Sequence, residues 1–404
     1  MVVLDFSGSM NDDSCFGAIS KLGRGYIESN LQTMWTELGS PVYGNLAFTP
    51  KYATLKGQPA LGAIPHIAVT YKGNSIQVVS TKALSNLVLK FSDNTTQKFD
   101  GLLGLSGSFS GTGSNSNKRI VTAWVKSGSN SSSDGPGYGE RFDFTVAKIK
   151  TALGLTTPYP YPGGSWDEYI QEVQRSTGNI KAAGYRDMYG YMTWIEYLQT
   201  RRYSAADTPD LWKTSEQPVG VMKDAVGEFT DYLVEMEAED YVGLSIYTHT
   251  NSTGAILEHG LSRNLDQIKN TTRQRQAGHY KPGTNISAGM TLARNELVQR
   301  ARPRSSRLMV LMTDGEANEP GDSNTAKAAV ITEANLAKTN KIKILTISLG
   351  AGADTSLMQQ VADITGGVHF NVPVGSNIAA VQSQLDVVFR EIANSRTLKL
   401  ISDR

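Results

Sequence analysis

Short apolar runs alternate with amphipathic stretches along the second half of the chain. The runs at 241–247, 307–312 and 342–348 have the length and continuous hydrophobicity of strands that are buried on both faces. Between and after them, apolar residues recur at helical spacing within 222–236, 286–297 and 378–392. This alternation predicts an α/β fold, in which right-handed βαβ units form a doubly wound, mostly parallel sheet with helices on both faces.

The first residues of the chain belong to the same pattern. Residues 1–4 (MVVL) form another apolar run of the buried-strand type, and Asp5 follows directly. We therefore assign residues 1–10 to the same sheet as the second half of the chain. Because this strand has no lead-in, we also expect a membrane anchor or leader upstream of it in the full-length protein.

The intervening residues, 11–215, have a different pattern. Residues 12–38 are weakly helical, whereas 66–146 alternate polar and apolar residues between turns, as in a β-sandwich. Gly-rich and Ser-rich tracts at 104–117 and 126–139 predict long loops, and 165–215 is helical and rich in aromatic residues. The sequence thus predicts an α/β domain of residues 1–10 plus 216–404, interrupted by an insertion at 11–215.

Composition excludes several classes of protein. The net charge of +1 over 404 residues argues against a nucleic-acid binder, which would need a basic excess. The single cysteine, Cys15, excludes an internal disulfide framework, and no apolar run reaches the length of a membrane span. The five histidines lack metal-ligand spacing, and no nucleophile–base pair is recognisable. We therefore predict that the chain is not an enzyme, with a hydrolase or a glycan-processing site hidden in the insertion as the least supported alternative.

Oxygen-bearing side chains follow two predicted strands and precede a predicted helix. Asp5, Ser7 and Ser9 alternate after the first strand, Thr284 precedes a helix, and Asp314 follows the strand at 307–312. Loops at the carboxyl ends of parallel strands converge on one crevice. Two carboxylates that meet there repel each other unless a cation lies between them. All-oxygen ligands favour Mg²⁺, with Mn²⁺ or Ca²⁺ as alternatives, over Zn²⁺ or Cu²⁺.

These segments resemble the metal-ion-dependent adhesion site of von Willebrand factor type A domains. The resemblance lies in DFSGSM at 5–10, the Gly-Thr-Asn segment at 283–285 and LMTDG at 311–315. It implies that Asp5, Ser7, Ser9, Thr284 and Asp314 are the metal-site residues, at the top of a doubly wound sheet. It also implies a module that binds a protein ligand through a carboxylate and does no chemistry.

The chain as a whole resembles pilus-assembly proteins of the tight-adherence (Tad) system, of the TadG type, and insertions of this kind occur in type A domains at the tips of bacterial pili. The resemblance implies a bacterial cell surface, periplasm or extracellular pilus, with membrane anchoring in the full-length protein. The expected partners are a carboxylate-bearing protein or other pilus and envelope subunits. The alternative is a structural assembly subunit whose metal is purely stabilising.

Three features stay open in the sequence. Residues 11–13 (Asn-Asp-Asp) are either a solvated turn or additional cation ligands. Four arginines, at positions 300, 302, 304 and 307, either complement a helix end or contact an acidic partner. The aromatic residues within 185–197 either pack a core or stack on carbohydrate.

Overall fold

The computed structural model describes residues 1–45, 51–53, 67–126, 140–202, 204–237, 239–249, 254–280, 282–350, 352–372 and 378–394. They form two compact units. We call the first, Met1–Gly39 with Leu198–Arg404, the α/β unit, and the second, Ser40–Tyr197, the inserted unit. The insertion predicted from the sequence, 11–215, is longer than the inserted unit and leaves less of the chain to the α/β unit. The predicted domain boundaries at 11 and 215 stay a prediction.

The α/β unit is built on one six-stranded sheet with the order β12-β11-β10-β1-β8-β9. Neighbouring strands are parallel except for β9, which pairs antiparallel with β8 at one edge. The mostly parallel sheet predicted from the sequence is therefore confirmed. The strands are β1 (Val2–Asp5), β8 (Val242–Tyr247), β9 (Ala255–Ser262), β10 (Arg307–Thr313), β11 (Ile342–Leu349) and β12 (His369–Val372).

Helices cover both faces of this sheet. Val2 and Leu4 point into one apolar cluster, whereas Met1 and Val3 point into another, as alternation along a strand requires. The first cluster includes residues of α7, α8 and α12, and the second includes residues of α9, α10 and α11. These helices are α7 (Val219–Glu235), α8 (Leu265–Arg273), α9 (Ile286–Arg300), α10 (Ser323–Thr339), α11 (Thr355–Thr365) and α12 (Ile378–Asn394).

The first strand lies in the middle of the sheet although the insertion separates it from its neighbours in sequence. Val2 pairs with Leu244 of β8 on one side and with Val310 of β10 on the other. All four residues of β1 are buried. This position agrees with the assignment of residues 1–10 to the same sheet as the second half of the chain, which was made from the apolar run at 1–4.

The weakly helical segment after β1 packs within the α/β unit. It contains α1 (Ile19–Leu22) and α2 (Arg24–Glu37). The Asn30 side chain donates to the Asp13 carbonyl at 3.2 Å, and Gln199 donates to the Met34 sulfur at 3.3 Å. Such contacts between residues far apart in sequence place both ends of the predicted insertion in the α/β unit.

The inserted unit contains an antiparallel sheet. Strand β4 pairs with β5 along its length, with β3 through its first half and with β6 through its second half. The alternating pattern at 66–146 thus marks real strands, although this pairing alone does not divide them into the two layers of a sandwich. The strands are β2 (Lys51–Ala53), β3 (Ile67–Tyr71), β4 (Ser75–Phe91), β5 (Thr96–Ser110), β6 (Ile120–Lys126) and β7 (Glu140–Asp143).

The loop predicted at 104–117 is wrong in its first part. Strand β5 continues to Ser110, with Gly107 opposite Val78 and Phe109 opposite Ile76. The long partner β4 supplies hydrogen bonds that override the weak strand preference of glycine and serine. Most of the other predicted loop, 127–139, lies outside the described residues.

Helices and aromatic side chains complete the inserted unit. Trp194 is fully buried and lies with its ring centroid 5.1 Å from Trp166 and 5.2 Å from Tyr169. Tyr189 and Tyr197 are also fully buried, which agrees with core packing rather than with an exposed carbohydrate platform. The helices are α3 (Val146–Ala152), α4 (Trp166–Val173), α5 (Asn179–Ala182) and α6 (Tyr191–Arg201), which continues into the α/β unit. None of the described helices is both long enough and apolar enough to span a membrane.

Candidate metal centre

The turn after β1 gathers the first three predicted metal-site residues. The chain leaves the sheet at Asp5 and enters a 3-10 helix, Gly8–Ser14. The Ser7 amide donates to Asp5 Oδ1 at 2.8 Å, and the hydroxyls of Ser7 and Ser9 lie 3.1 Å apart. The alternation that the sequence showed thus brings one carboxylate and two hydroxyls into a single turn.

Asp314 reaches the same turn from the neighbouring strand. It follows β10, which is adjacent and parallel to β1, so both strands end at the same edge of the sheet. The Ser9 hydroxyl donates to Asp314 Oδ1 at 2.6 Å, and the Thr313 hydroxyl donates to Asp5 Oδ2 at 2.8 Å. Ser9 therefore links the two carboxylate-bearing loops.

Thr284 approaches from the loop before α9. A Cβ atom added at Gly315 would lie 3.2 Å from the Ser9 hydroxyl oxygen and 3.8 Å from that of Thr284. Both hydroxyls therefore border the space beside Gly315. The structure brings together all five residues that the sequence nominated.

Two supporting contacts fix the Thr284 loop. The Asn318 side chain accepts from the Thr284 backbone amide through Oδ1 at 2.7 Å, and the Asn318 backbone amide donates to the Thr284 carbonyl at 3.2 Å. Gly283 has φ +151°, and a Cβ atom there would lie 2.6 Å from His249 Cδ2, so only glycine fits. Sequence reasoning missed Asn318 because nothing local distinguishes it from an ordinary turn asparagine.

The two carboxyl groups lie in an environment that disfavours their charge. Asp5 is fully buried, and Asp314 is 7% exposed. Burial raises the pKa of Asp5, opposed by hydrogen bonds from Ser7 and Thr313. Burial also raises the pKa of Asp314 well above its ordinary value, and the nearby negative charge of Asp5 raises it further. A cation between the two carboxylates would remove this repulsion.

The donor set fits a hard divalent ion. Within the described ranges, no three His, Cys, Asp or Glu side chains gather as a metal-binding group. The five predicted residues offer two carboxylates and three hydroxyls. Oxygen donors of this kind suit Mg²⁺, Mn²⁺ or Ca²⁺, with water completing the shell. Asp5, Ser7, Ser9, Thr284 and Asp314 are the residues that would hold the ion.

Cation affinity is expected to rise with pH. The raised pKa values of Asp5 and Asp314 mean that, without a cation, the folded protein gains stability in acid and loses it as the pH rises through those values. A cation competes with protons for these carboxyls. Calorimetric titration in two buffers of different ionisation enthalpy should therefore reveal proton release on binding. Equal heats in both buffers would contradict the prediction.

Filling the space beside Gly315 should weaken cation binding without unfolding the protein. In Gly315→Val, the added side chain crowds the hydroxyls of Ser9 and Thr284, so we expect affinity to fall by about tenfold to a hundredfold. Gly25→Val is the matched control, because a Cβ atom there has no atom within 4 Å. Calorimetric titration with Mg²⁺ measures both variants, and an unchanged affinity for Gly315→Val would mean that these hydroxyls do not face the ion.

A family model of the von Willebrand factor type A domain matches residues 212–384. The chain therefore contains a von Willebrand factor type A domain. The match begins after the inserted unit, and β1, which carries Asp5, completes the same sheet from outside the matched range. No similar sequence was found among curated proteins.

Several solved structures are similar to part of the chain. An aerotolerance-related membrane protein from Bacteroides fragilis is 18% identical over 43% of this chain and 90% of its own, with a TM-score of 0.33. Proximal thread matrix protein 1 from the mussel byssus, solved with a zinc-occupied adhesion motif, is 18% identical over 43% and 40%, with a TM-score of 0.32. The pilus adhesin SpaC from Lactobacillus rhamnosus GG is 17% identical over 47% and 29%, with a TM-score of 0.34.

Proposed function

We propose that the protein is a metal-dependent binding module. In this proposal Asp5, Ser7, Ser9, Thr284 and Asp314 hold a divalent cation, Mg²⁺ before Mn²⁺ or Ca²⁺. A carboxylate of a protein partner then completes the cation's shell. The observation that carries the proposal is the approach of two buried carboxyl groups at the carboxyl end of a type A sheet, where Ser9 of the turn after Asp5 donates to Asp314.

The cation alone cannot account for tight binding. Two carboxylates balance the charge of a divalent ion, and neutral hydroxyls supply the remaining protein ligands, so one coordination position can pass from water to an incoming carboxylate. Micromolar affinity requires about 8 kcal/mol, which is more than one such contact supplies. Most of the binding energy must therefore come from surrounding protein surface.

We place this activity in a bacterial cell-surface or pilus system, as a non-enzymatic adhesion or assembly component. The support is the type A domain together with the resemblance to TadG-type proteins of the Tad system. The partners in this proposal are a carboxylate-bearing protein or other pilus and envelope subunits. In this proposal the protein acts at a membrane to which it is anchored.

Selection from a library of displayed random peptides tests the binding mode. The protein is immobilised with Mg²⁺, and bound peptides are eluted with EDTA. We expect the eluted peptides to be enriched in aspartate and glutamate, and we expect no enrichment with Asp314→Ala. Peptides without acidic residues, or peptides that EDTA does not release, would contradict carboxylate recognition.

A second candidate is a structural role for the cation. The 3-10 helix that carries Ser9 is hydrogen-bonded to residues 216 and 217, directly after the predicted insertion. The Gln217 backbone amide donates to Ser14 Oγ at 2.6 Å, and the Asn11 side chain donates to Glu216 Oε1 at 3.4 Å. A cation could therefore stabilise this junction alone. In that case chelation lowers the melting temperature but leaves partner contacts in an existing assembly intact.

A further inference from the structure

Seven cations lie together at one end of the α/β unit. We call them the cationic strip: Arg300, Arg302, Arg304, Arg307, Lys338, Lys341 and Lys343. They come from two segments, 300–308 and 338–343, and neither segment contains an aspartate, a glutamate or an aromatic residue. The metal-dependent function proposed above makes no use of them.

The sheet brings the two segments side by side. Arg307 pairs with Ile342 and Leu308 pairs with Lys343 at the beginning of β10 and β11, and Arg307 donates to the Asn340 carbonyl at 3.3 Å. All seven side chains are exposed except Arg307, which is half-buried. Because β10 begins at the strip and ends beside Asp314, the strip lies at the opposite end of the sheet from the candidate metal centre.

Two exposed aliphatic side chains lie next to the strip. The guanidinium of Arg294 in α9 pairs with Glu333 in α10 at 2.8 Å, which sets these helices side by side. Val298 lies one turn further along α9 and is 39% exposed, and Leu336 lies about one turn further along α10 and is 40% exposed. Val298 and Leu336 therefore lie at the same height along the two helices. Each directly precedes the helix end that carries Arg300 or Lys338.

We infer that this end of the α/β unit binds an anionic phospholipid surface. Clustered lysines and arginines are attracted to anionic headgroups, and adjacent aliphatic side chains enter the interface between headgroups and acyl chains. A single-stranded nucleic acid would instead favour a series of aromatic side chains on which bases stack, and the two segments contain none. The ring of the neighbouring Tyr241 is itself stacked against the Arg302 guanidinium, 4.6 Å from the ring centroid. The combination of cations and exposed aliphatic residues thus favours a lipid surface.

The simpler role of the strip, stabilising helix ends, accounts for only part of it. Arg300 and Lys338 lie in the last turns of α9 and α10, where cations complement the helix dipole. Lys343 lies within a strand, and Arg304 lies in the connection before β10. Acidic residues border the strip at Arg302, which donates to the Glu239 carbonyl, and Asp240 acts on the Met1 amine. The β10–β11 side of the strip carries Arg307, Lys341 and Lys343, and its two segments contain no acidic residue.

Co-sedimentation of the full chain with vesicles tests the inference. EDTA is present throughout, so that no divalent ion bridges protein and lipid. We expect binding to mixed phosphatidylglycerol–phosphatidylcholine vesicles, weakening with salt, and none to phosphatidylcholine alone. The triple variant Arg300→Gln, Lys338→Gln, Lys343→Gln should lower the partition coefficient by about a hundredfold, at about fivefold for each cation.

A matched variant separates the strip from net charge. Lys72→Gln, Lys148→Gln, Lys181→Gln removes three exposed cations from the inserted unit and should leave vesicle binding nearly unchanged. Equal losses in both triple variants, or equal binding to neutral vesicles, would overturn the inference. Circular dichroism confirms that each variant is folded.

A third variant separates lipid from other polyanions. Val298→Ser with Leu336→Ser should lower vesicle binding severalfold and leave binding to a single-stranded oligonucleotide unchanged. If the oligonucleotide binds as tightly as the anionic vesicles and the aliphatic substitutions have no effect on either, the strip is a general polyanion site and the lipid assignment fails.

Discussion

Asp314→Asn is expected to abolish measurable Mg²⁺ binding and to raise the melting temperature of the cation-free protein. The carboxyl is 7% exposed and close to Asp5, and its raised pKa reflects burial and this repulsion. Asparagine keeps an oxygen that can accept from Ser9, so the turn should survive. It removes the negative charge that a divalent ion requires, and we expect at least a hundredfold loss of affinity, about 3 kcal/mol.

Loss of Mg²⁺ binding together with a higher melting temperature of the cation-free protein distinguishes a metal ligand from a packing residue. Asp363→Asn is the control, because that carboxyl lies on the surface and accepts from Gln359 at 2.9 Å. It should change neither affinity nor cation-free stability. Calorimetric titration and thermal unfolding, each with and without Mg²⁺, measure both effects. An Asp314→Asn protein that binds Mg²⁺ normally would remove Asp314 from the proposed site.

Trp194→Ala is expected to destabilise the inserted unit by about 3–5 kcal/mol, because it opens a large cavity in a packed core. The indole is fully buried and also contacts Tyr43 and Tyr197, at ring-centroid distances of 5.0 Å and 5.8 Å. Trp194→Phe, which keeps an aromatic ring, should cost less. Hydrogen exchange, followed by region, should show the loss of protection in residues 67–126 and 140–197.

This variant also tests whether the two units are energetically separate. All five candidate metal-site residues belong to the α/β unit, so Trp194→Ala should bind Mg²⁺ with nearly unchanged affinity. The same titrations used for Asp314→Asn measure this. If Trp194→Ala lost cation binding as well as hydrogen-exchange protection in the inserted unit, the site would depend on the insertion. That result would contradict the division into two compact units.

The α/β sheet was predictable because its central strands are buried on both faces. Such strands appear in the sequence as unbroken apolar runs, and β1, β8, β10 and β11 all have this form. Topology predicted that Asp5 and Asp314 meet, since residues that follow neighbouring parallel strands lie at one edge of the sheet. The full set of five, which includes Thr284 before α9, was implied by the resemblance to type A domains.

The remaining features depend on contacts between distant parts of the chain. The second half of β5 has the composition of a loop, and only its pairing with β4 makes it a strand. Helix α2 belongs to the α/β unit through contacts such as that of Asn30 with Asp13, which no local pattern indicates. Thr313 and Asn318 acquire their roles at the candidate site in the same way, from the loops that they meet.

The most direct test of the account is an anomalous difference map from a crystal soaked in Mn²⁺. We expect one peak at the carboxyl ends of β1 and β10, in contact with oxygens of Asp5, Ser9 and Asp314 directly or through water. A map without a peak there, from a crystal in which the turn after β1 is well ordered, would contradict the central claim that these loops hold a divalent cation.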